Sequence, residues 1–381
     1  MIYLDNASTT QVSEKVRDII DEYLYSSFGN AGSPHFMGKK SKDAIDSARR
    51  QVASFVNTEP DNIIFTSSGS EANTMAILGL SKHLSDLNLK HIITSKYEHH
   101  SVLNAMKEME HRGFEVTYLD VSSGMVSYDD FVSNVRNDTG LVSIMYVNNE
   151  IGAVNDVKSI YKFCQEREIL FHSDCVQAAG VNPINMSEMA DLVSISGHKI
   201  YAPKGIGCLC TKHKQFLSNV IFGGEQEYGL RPGTENVAYI AAFGMATYYA
   251  NANINYAVQK LDSLNSEFMN SLYELCNKND IKIRINSASP THSPKILNIR
   301  FEGIDANTLV LMLSNAGVCV SAGSACSSHS MKSSHVLKAL GYTDESARES
   351  IRISFSEKDT IDNMRKAAKI IVGCIKVLRE I

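Results

Sequence analysis

The sequence predicts an α/β protein, with a large unit around a mostly parallel sheet and a smaller α+β unit. Three observations carry that prediction. From about residue 12 to residue 249, short apolar runs alternate with helix-like stretches, the pattern of strands buried on both faces under covering helices. Beyond Tyr249 the character changes, and a long polar helical stretch leads to shorter strand-like runs. A chain of 381 residues also exceeds what a single small core holds, so two domains are expected. The expected large domain is 14–250; 1–13 and 251–381 together are expected to form the small one.

The strand-like runs of the large unit are Asn62–Phe65, His91–Thr94, Phe114–Leu119, Leu141–Val147, Ile169–His172 and Leu192–Ile195. Between them, Glu71–Leu84, Ser101–Arg112 and Val157–Glu166 read as helices. In the small unit the polar stretch Tyr256–Cys276 reads as a helix. Strand-like Lys282–Ile285, Ile296–Phe301 and Val318–Val320 follow, then a helical stretch stopped by Gly341 and a last one from Thr360. In parallel sheets ligands gather at the carboxyl ends of the strands, so the chemistry is sought there.

Composition narrows the function. A net charge of −5 gives no electrostatic reason to bind nucleic acid or a membrane surface. The sequence Met1-Ile-Tyr-Leu-Asp5 carries no basic segment followed by an apolar run, and no apolar stretch reaches spanning length. The expected location is the cytoplasm. Eight scattered cysteines in so long a chain do not suggest a disulfide framework. Cys208 and Cys210 are expected on one face of a strand as buried structural thiols, and no spacing predicts a metal site.

Four strand ends carry polar residues. After Phe65 comes Thr66-Ser-Ser-Gly-Ser-Glu-Ala-Asn73, a Gly/Ser turn opening a helix. The N–H groups and dipole of such a turn suit a phosphate, although a plain helix cap has the same appearance. After His172 comes Ser173-Asp174-Cys-Val-Gln177. An acid there usually caps a turn, but pyridoxal 5'-phosphate (PLP) needs a carboxylate against its pyridine nitrogen to keep the ring an electron sink. Lys199 ends the run Ser196-Gly-His-Lys199, twenty-five residues after Asp174. A lysine that bonds to an aldehyde must lose its proton readily, which burial and a cationic neighbourhood promote. Tyr97-Glu-His-His100 brings a histidine suited to stacking and to proton transfer near neutral pH.

Taken in order, these segments resemble the cysteine desulfurases of the class V aminotransferase group, PLP enzymes of fold type I. The resemblance runs almost end to end. It rests on Tyr3-Leu-Asp-Asn-Ala7, Gly29-Asn30 with His35, Phe65–Asn73, Glu98-His99, Val147–Gly152, His172–Gln177 and Ser196–Gly207, then on Arg231–Asn236, Ser321–Cys326 and Ser350–Ser354. It implies that Lys199 holds PLP, that Asp174 pairs with the ring nitrogen and that His99 stacks on the ring. It further implies Asn149 and Gln177 near the ring hydroxyl, and Gly69, Ser70, Ser196 and His198 at the phosphate. Thr234 would arrive from the second subunit of a homodimer. Arg352, helped by Asn149, would grip the substrate carboxylate as a fork.

Cys326 lies in Ala322-Gly-Ser-Ala-Cys-Ser-Ser-His329, a small-residue stretch with little to pack, whereas Cys319 sits in an apolar strand and is expected in the core. Such composition suits an exposed loop whose thiol reaches the substrate and then moves away, as in the flexible-loop branch of the family. The implied reaction turns L-cysteine into alanine and leaves the sulfur on Cys326 as a persulfide. The implied recipient is an acceptor protein, an iron–sulfur scaffold or a thiolation protein. Two segments depart from the family pattern. Glu225 interrupts the run Gly223–Glu227, and Ser356-Glu357 stands where Gly-Arg is common. Transamination is the rival within PLP chemistry, but it needs no thiol loop. A silent sulfur- or metal-binding protein is the rival outside it, but it needs neither Lys199 nor Asp174.

Overall fold

The computed structural model describes residues 1–286, 289, 291–323 and 333–380. Its strands, in chain order, are β1 (Ile2–Tyr3), β2 (Ile63–Thr66), β3 (His91–Ser95), β4 (Glu115–Leu119), β5 (Thr139–Ser143) and β6 (Leu170–Asp174). They continue with β7 (Leu192–Ser196), β8 (Gly207–Thr211), β9 (Ile283–Ile285), β10 (Ile296–Phe301), β11 (Val318–Cys319) and β12 (Ser350–Ser354).

Seven strands form the central sheet in the order β2-β8-β7-β6-β5-β3-β4. Its neighbours are parallel except around β8, which runs antiparallel to both β2 and β7. The fold is therefore the α/β arrangement that the apolar runs predict. Strands β2, β3, β5 and β7 are buried at every residue, as expected where helices cover both faces. Cys208 and Cys210 lie on β8 with their sulfurs 3.6 Å apart in the core.

The helices that matter to the site are α1 (Glu14–Asp21), α2 (Phe36–Val56), α3 (Gly69–Gly79), α4 (His100–His111) and α5 (Val157–Gln165). Further on are α6 (Val237–Lys278), α7 (Ala306–Asn315) and α8 (Ile361–Arg379). The stretch expected as one helix over Glu71–Leu84 is instead α3 followed by a short helix, Ser81–Asp86.

Helix α6 corrects a second expectation. The polar stretch Tyr256–Cys276 is the second half of a single helix of 42 residues that crosses residue 250 without a break. The first half buries Ile240, Ala242, Phe243 and Ala246 in the core of the large sheet, where α2 packs. The second half buries Leu261, Leu264, Phe268 and Leu272 in a different core, shared with β10, β12 and α8. The first half is buried on nearly every side from Ile240 to Thr247 and the second along one stripe only, so in the sequence the change of pattern reads as a boundary.

That second core covers the antiparallel sheet β12-β10-β9. The chain start joins it, since β1 pairs in parallel with β11. Leu4 accepts from the backbone N–H of Ser354, which draws the following residues, 5–10, toward the end of β12 and the turn after β7.

Candidate active site

A cleft of about 180 Å³ opens where the carboxyl ends of β6 and β7 meet the start of α3, the residues after β3 and the strand β12. Gly69, Ser70, His99, Asn149, Asp174, Gln177, Ser196, His198, Lys199 and Arg352 all line it. Thr234 does not. It lines a separate hollow with Thr66, Ser67 and Gly205 on the far side of the β2–α3 turn. Cys326 lies outside the described residues.

The β2–α3 turn is held by reciprocal bonds. Ser68 caps α3, its Oγ accepting from Glu71 N at 3.2 Å, while Glu71 Oε2 accepts from Ser67 N at 2.7 Å. Glu71 is fixed in turn by Arg231, whose Nε lies 2.9 Å away. Gly69 cannot be replaced without a clash, because a Cβ there would stand 2.7 Å from Val176 Cγ2 and 3.3 Å from Ser196 Cβ. The first turn of an eleven-residue helix is thus pressed against the ends of β6 and β7, with unshared N–H groups that favour an anion.

Asp174 ends β6 and is buried. Its Oδ1 accepts from Val176 N at 2.9 Å and its Oδ2 from Asn73 Nδ2 at 2.7 Å. Asn73 Nδ2 also lies 2.8 Å from Ser101 Oγ, which is 2.8 Å from His99 Nδ1. Ser101 N donates to the same ring nitrogen at 3.1 Å. With Nδ1 accepting, the neutral ring carries its proton on Nε2. Burial lowers the His99 pKa, with Lys199 adding to that and Asp174 opposing it, so the ring is neutral at pH 7.

Lys199 follows β7 in a single 3₁₀ turn. Its Nζ donates to the carbonyls of Ala7 at 2.6 Å and Ser8 at 2.7 Å. Gln177 Nε2 also donates to Ala7 O, at 2.9 Å. His198 Nδ1 meets Thr9 Oγ1 at 3.2 Å, and burial pushes its pKa down to about 3, helped by Lys199, Lys204 and Lys295. The chain start therefore forms one wall of the cleft. Asp5, Ala7 and Ser8 thus join the site without having been among the residues expected there. Ala7 and Ser8 act on Lys199 through backbone carbonyls, which leave no residue-type signal in a sequence.

Arg352, on β12, is 1 % exposed. Nη1 donates to Asn149 O at 2.9 Å, and Nη2 to Asp5 Oδ1 at 2.9 Å and Ser8 Oγ at 2.6 Å. Its Nε has no partner among the described residues. Asn73 Oδ1, Asn149 Oδ1 and Gln177 Oε1 are likewise buried without partners. Four orphaned polar atoms lining one cleft are costly unless a ligand satisfies them. Together with an amine, a carboxylate, an imidazole and a helix N-terminus, they fit PLP and an amino acid.

Both flanks of the segment holding Cys326 are tied to this cleft. Ser321 exchanges backbone bonds with Arg352, at 3.1 and 2.7 Å. On the other side, Ser334 Oγ donates to Glu150 Oε2 at 2.5 Å and His335 Nε2 donates to Glu98 O at 2.9 Å. These anchors neighbour Asn149 and His99. Cys319 differs from expectation. It is half-buried at the end of the short β11, whereas the other described cysteines are buried, because a two-residue strand paired on one side leaves its end open.

Fold and site together define a PLP enzyme. The chain belongs to the aminotransferase class-V family, whose description matches residues 2–366, and within it to the cysteine desulfurases. It is 38 % identical to the cysteine desulfurase IscS of Dictyoglomus turgidum (strain DSM 6724 / Z-1310), covering 100 % of this chain and 96 % of that one. A solved NifS-like protein superposes with a TM-score of 0.90 at 30 % identity, covering 99 % of each chain. A structure described as SspA in complex with cysteine superposes with a TM-score of 0.81 at 32 % identity, covering 94 % of this chain and 100 % of that one.

Proposed function

We propose that this chain is a PLP-dependent cysteine desulfurase in which Lys199 holds the cofactor and Cys326 accepts the sulfur of L-cysteine. The observation that carries the reading is the meeting of Lys199, Asp174, His99 and Arg352 in one cleft. Bound PLP supplies an electron sink that makes the α-proton of an attached amino acid acidic.

The protein's residues do the rest. Gly69 and Ser70, with Ser196 and His198, hold the phosphate; Thr234 of a second copy adds a hydroxyl. Asp174 stabilises a protonated pyridine nitrogen, oriented by Asn73. Gln177 and Asn149 would lie beside the ring hydroxyl, whose single proton can go to one of their unpaired oxygens. Arg352 takes the substrate carboxylate, its guanidinium already oriented by Asp5 and Ser8. Lys199 removes the α-proton and returns it, and His99 Nε2–H serves the accompanying transfers.

The Cys326 thiolate attacks the substrate sulfur. A sulfur–sulfur bond forms as the bond from sulfur to the β-carbon breaks, and the electron pair passes to the β-carbon, which takes up a proton. Cys326 is left as a persulfide and the substrate leaves as alanine. The two anchored flanks, at Arg352 and at Glu98, support this assignment, since they hold the segment's ends at the cleft.

The reading extends to a cytoplasmic homodimer that passes its sulfur to an acceptor protein, an iron–sulfur scaffold or a thiolation protein. Among the described residues no helix is long and apolar enough to cross a membrane. Division into 14–250 and a small domain of 1–13 with 251–381 remains part of the proposal; the two separate cores support it, with α6 as the shared beam. The direct test is the visible spectrum of purified protein with alanine released from cysteine. A colourless protein, or a yellow one that makes no alanine, would sink the reading.

A further inference from the structure

A second cavity lies behind Lys199, which lines both it and the cleft. Its volume is about 620 Å³, within the range of ordinary small-molecule pockets. Its walls come from the stretch leading into α1, the middle of α6, and the small unit at Lys295 and Glu357. Much of the lining is apolar, including Val12, Val181, Tyr249, Ala250 and Leu261.

Among its charged residues, Lys295 is the buried one without an ion pair among the described residues. It is 4 % exposed, and its Nζ donates to the carbonyl of Lys199 at 3.1 Å. An ammonium has three protons to place, and no ion pair joins Lys295 to a carboxylate among the described residues. Glu357, the acid whose field it feels, is committed to the hydroxyl of Tyr201. Burial pushes the Lys295 pKa down to about 8, the signature of an ammonium short of a counter-ion. Lys15 and Lys358 add positive charge to the lining, each poised over a tyrosine ring, at 4.5 Å from Tyr249 and 4.3 Å from Tyr201. Glu14 is the other acid of the lining, at the exposed start of α1.

We propose that this cavity binds a small organic monocarboxylate with an apolar body, its carboxylate held by Lys295 and its body covering the walls around Ala250. Water alone would solvate the ammonium but leave the apolar walls wetted, whereas such a ligand satisfies both. Because Lys295 also holds the Lys199 carbonyl, the site is built directly against the backbone of the cofactor-bearing residue. Binding is read without turnover, so the proposal stands or falls separately from the desulfurase reading.

The experiment uses the full-length, PLP-loaded protein and 3-phenylpropionate as probe, with affinity from calorimetric titration. Wild type should bind it, and the neutral 3-phenylpropanol should bind at least tenfold more weakly. Lys295→Met should weaken binding at least tenfold, and Ala250→Phe, which fills the cavity and leaves the ammonium in place, should do the same. If Lys295→Met does not fold, Ala250→Phe decides the question. No binding by wild type overturns the proposal. So does affinity unchanged in the folded variants, which would put the carboxylate elsewhere, at Arg352 for example.

Discussion

Asn73 and Asp174 are joined at 2.7 Å, and through the same amide nitrogen Asn73 reaches Ser101 and thence His99. One side chain on α3 thus sets both the carboxylate expected under the pyridine nitrogen and the tautomer of the ring expected above it. Asn73→Ala removes a hydrogen bond to a charged group, worth about 1.5–3 kcal/mol. We expect it to release PLP on dialysis roughly ten- to a hundredfold more readily than wild type, with the fold intact by circular dichroism. Equal retention would mean that Asp174 needs no support from Asn73.

Arg352 invites a kinetic prediction. Arg352→Lys keeps the charge but loses the fork that spans Asn149 O, Asp5 and Ser8. The KM for cysteine should rise at least tenfold, with a smaller fall in kcat, in steady-state alanine release. Asp5→Ala should be the more harmful to stability. It leaves a buried guanidinium without its acid, a loss of about 3 kcal/mol, read as a lower midpoint in urea.

Glu98 sets an alkaline limit. It is buried, with Oε1 accepting from Ser95 Oγ at 2.5 Å and from Met145 N at 3.0 Å. Burial raises its pKa from 4.5 to about 8, against the lowering effect of those two bonds. A raised acid contributes stability that is complete below its ordinary pKa and is lost as pH climbs through the folded value. Wild type should therefore lose several kcal/mol between pH 5 and pH 9, and Glu98→Gln should lose less. Parallel losses in urea titrations of the two proteins would contradict this.

His172 sets the acid limit. Its ring lies between Ser143 Oγ at 2.8 Å and Ser194 Oγ at 3.0 Å, and burial lowers its pKa from 6.5 to about 3. The unfolded chain takes up a proton near pH 6.5 that the folded chain refuses, so stability falls as pH drops below that value. At pH 5 this one residue costs about 2 kcal/mol. His172→Asn should flatten the acid side of the profile by about that amount, although it is less stable than wild type at pH 7. An unchanged acid slope would assign the loss to other groups.

Much of this molecule could be read from its sequence for a physical reason. Strands buried on both faces must be apolar throughout, so β2, β3, β5 and β7 stand out, and whatever polar residue ends such a run is conspicuous. Asp174 and Lys199 were legible in that way. Asp5 was not, because its meaning lies in a partner 347 residues away. Nor was Asn73 as a bridge, since an amide inside a helix start looks like any capping residue. The full length of α6 was hidden because its first half is buried nearly all round in one core and its second along a single stripe in another.

The central claim is that sulfur leaves cysteine on Cys326, and intact mass after a brief exposure to cysteine tests it most directly. Wild type should gain one sulfur atom, mapped to the peptide holding Cys326, with alanine released in parallel. Cys326→Ser should keep its PLP, gain no sulfur and release little alanine, because a hydroxyl cannot store the sulfur as a persulfide. Cys175 is buried, with its pKa pushed well above the usual range by burial, and should not substitute. Cys319 is half-buried, so the mapping must exclude it explicitly. Undiminished alanine and sulfide from Cys326→Ser, or the added sulfur found on Cys319, would contradict the account.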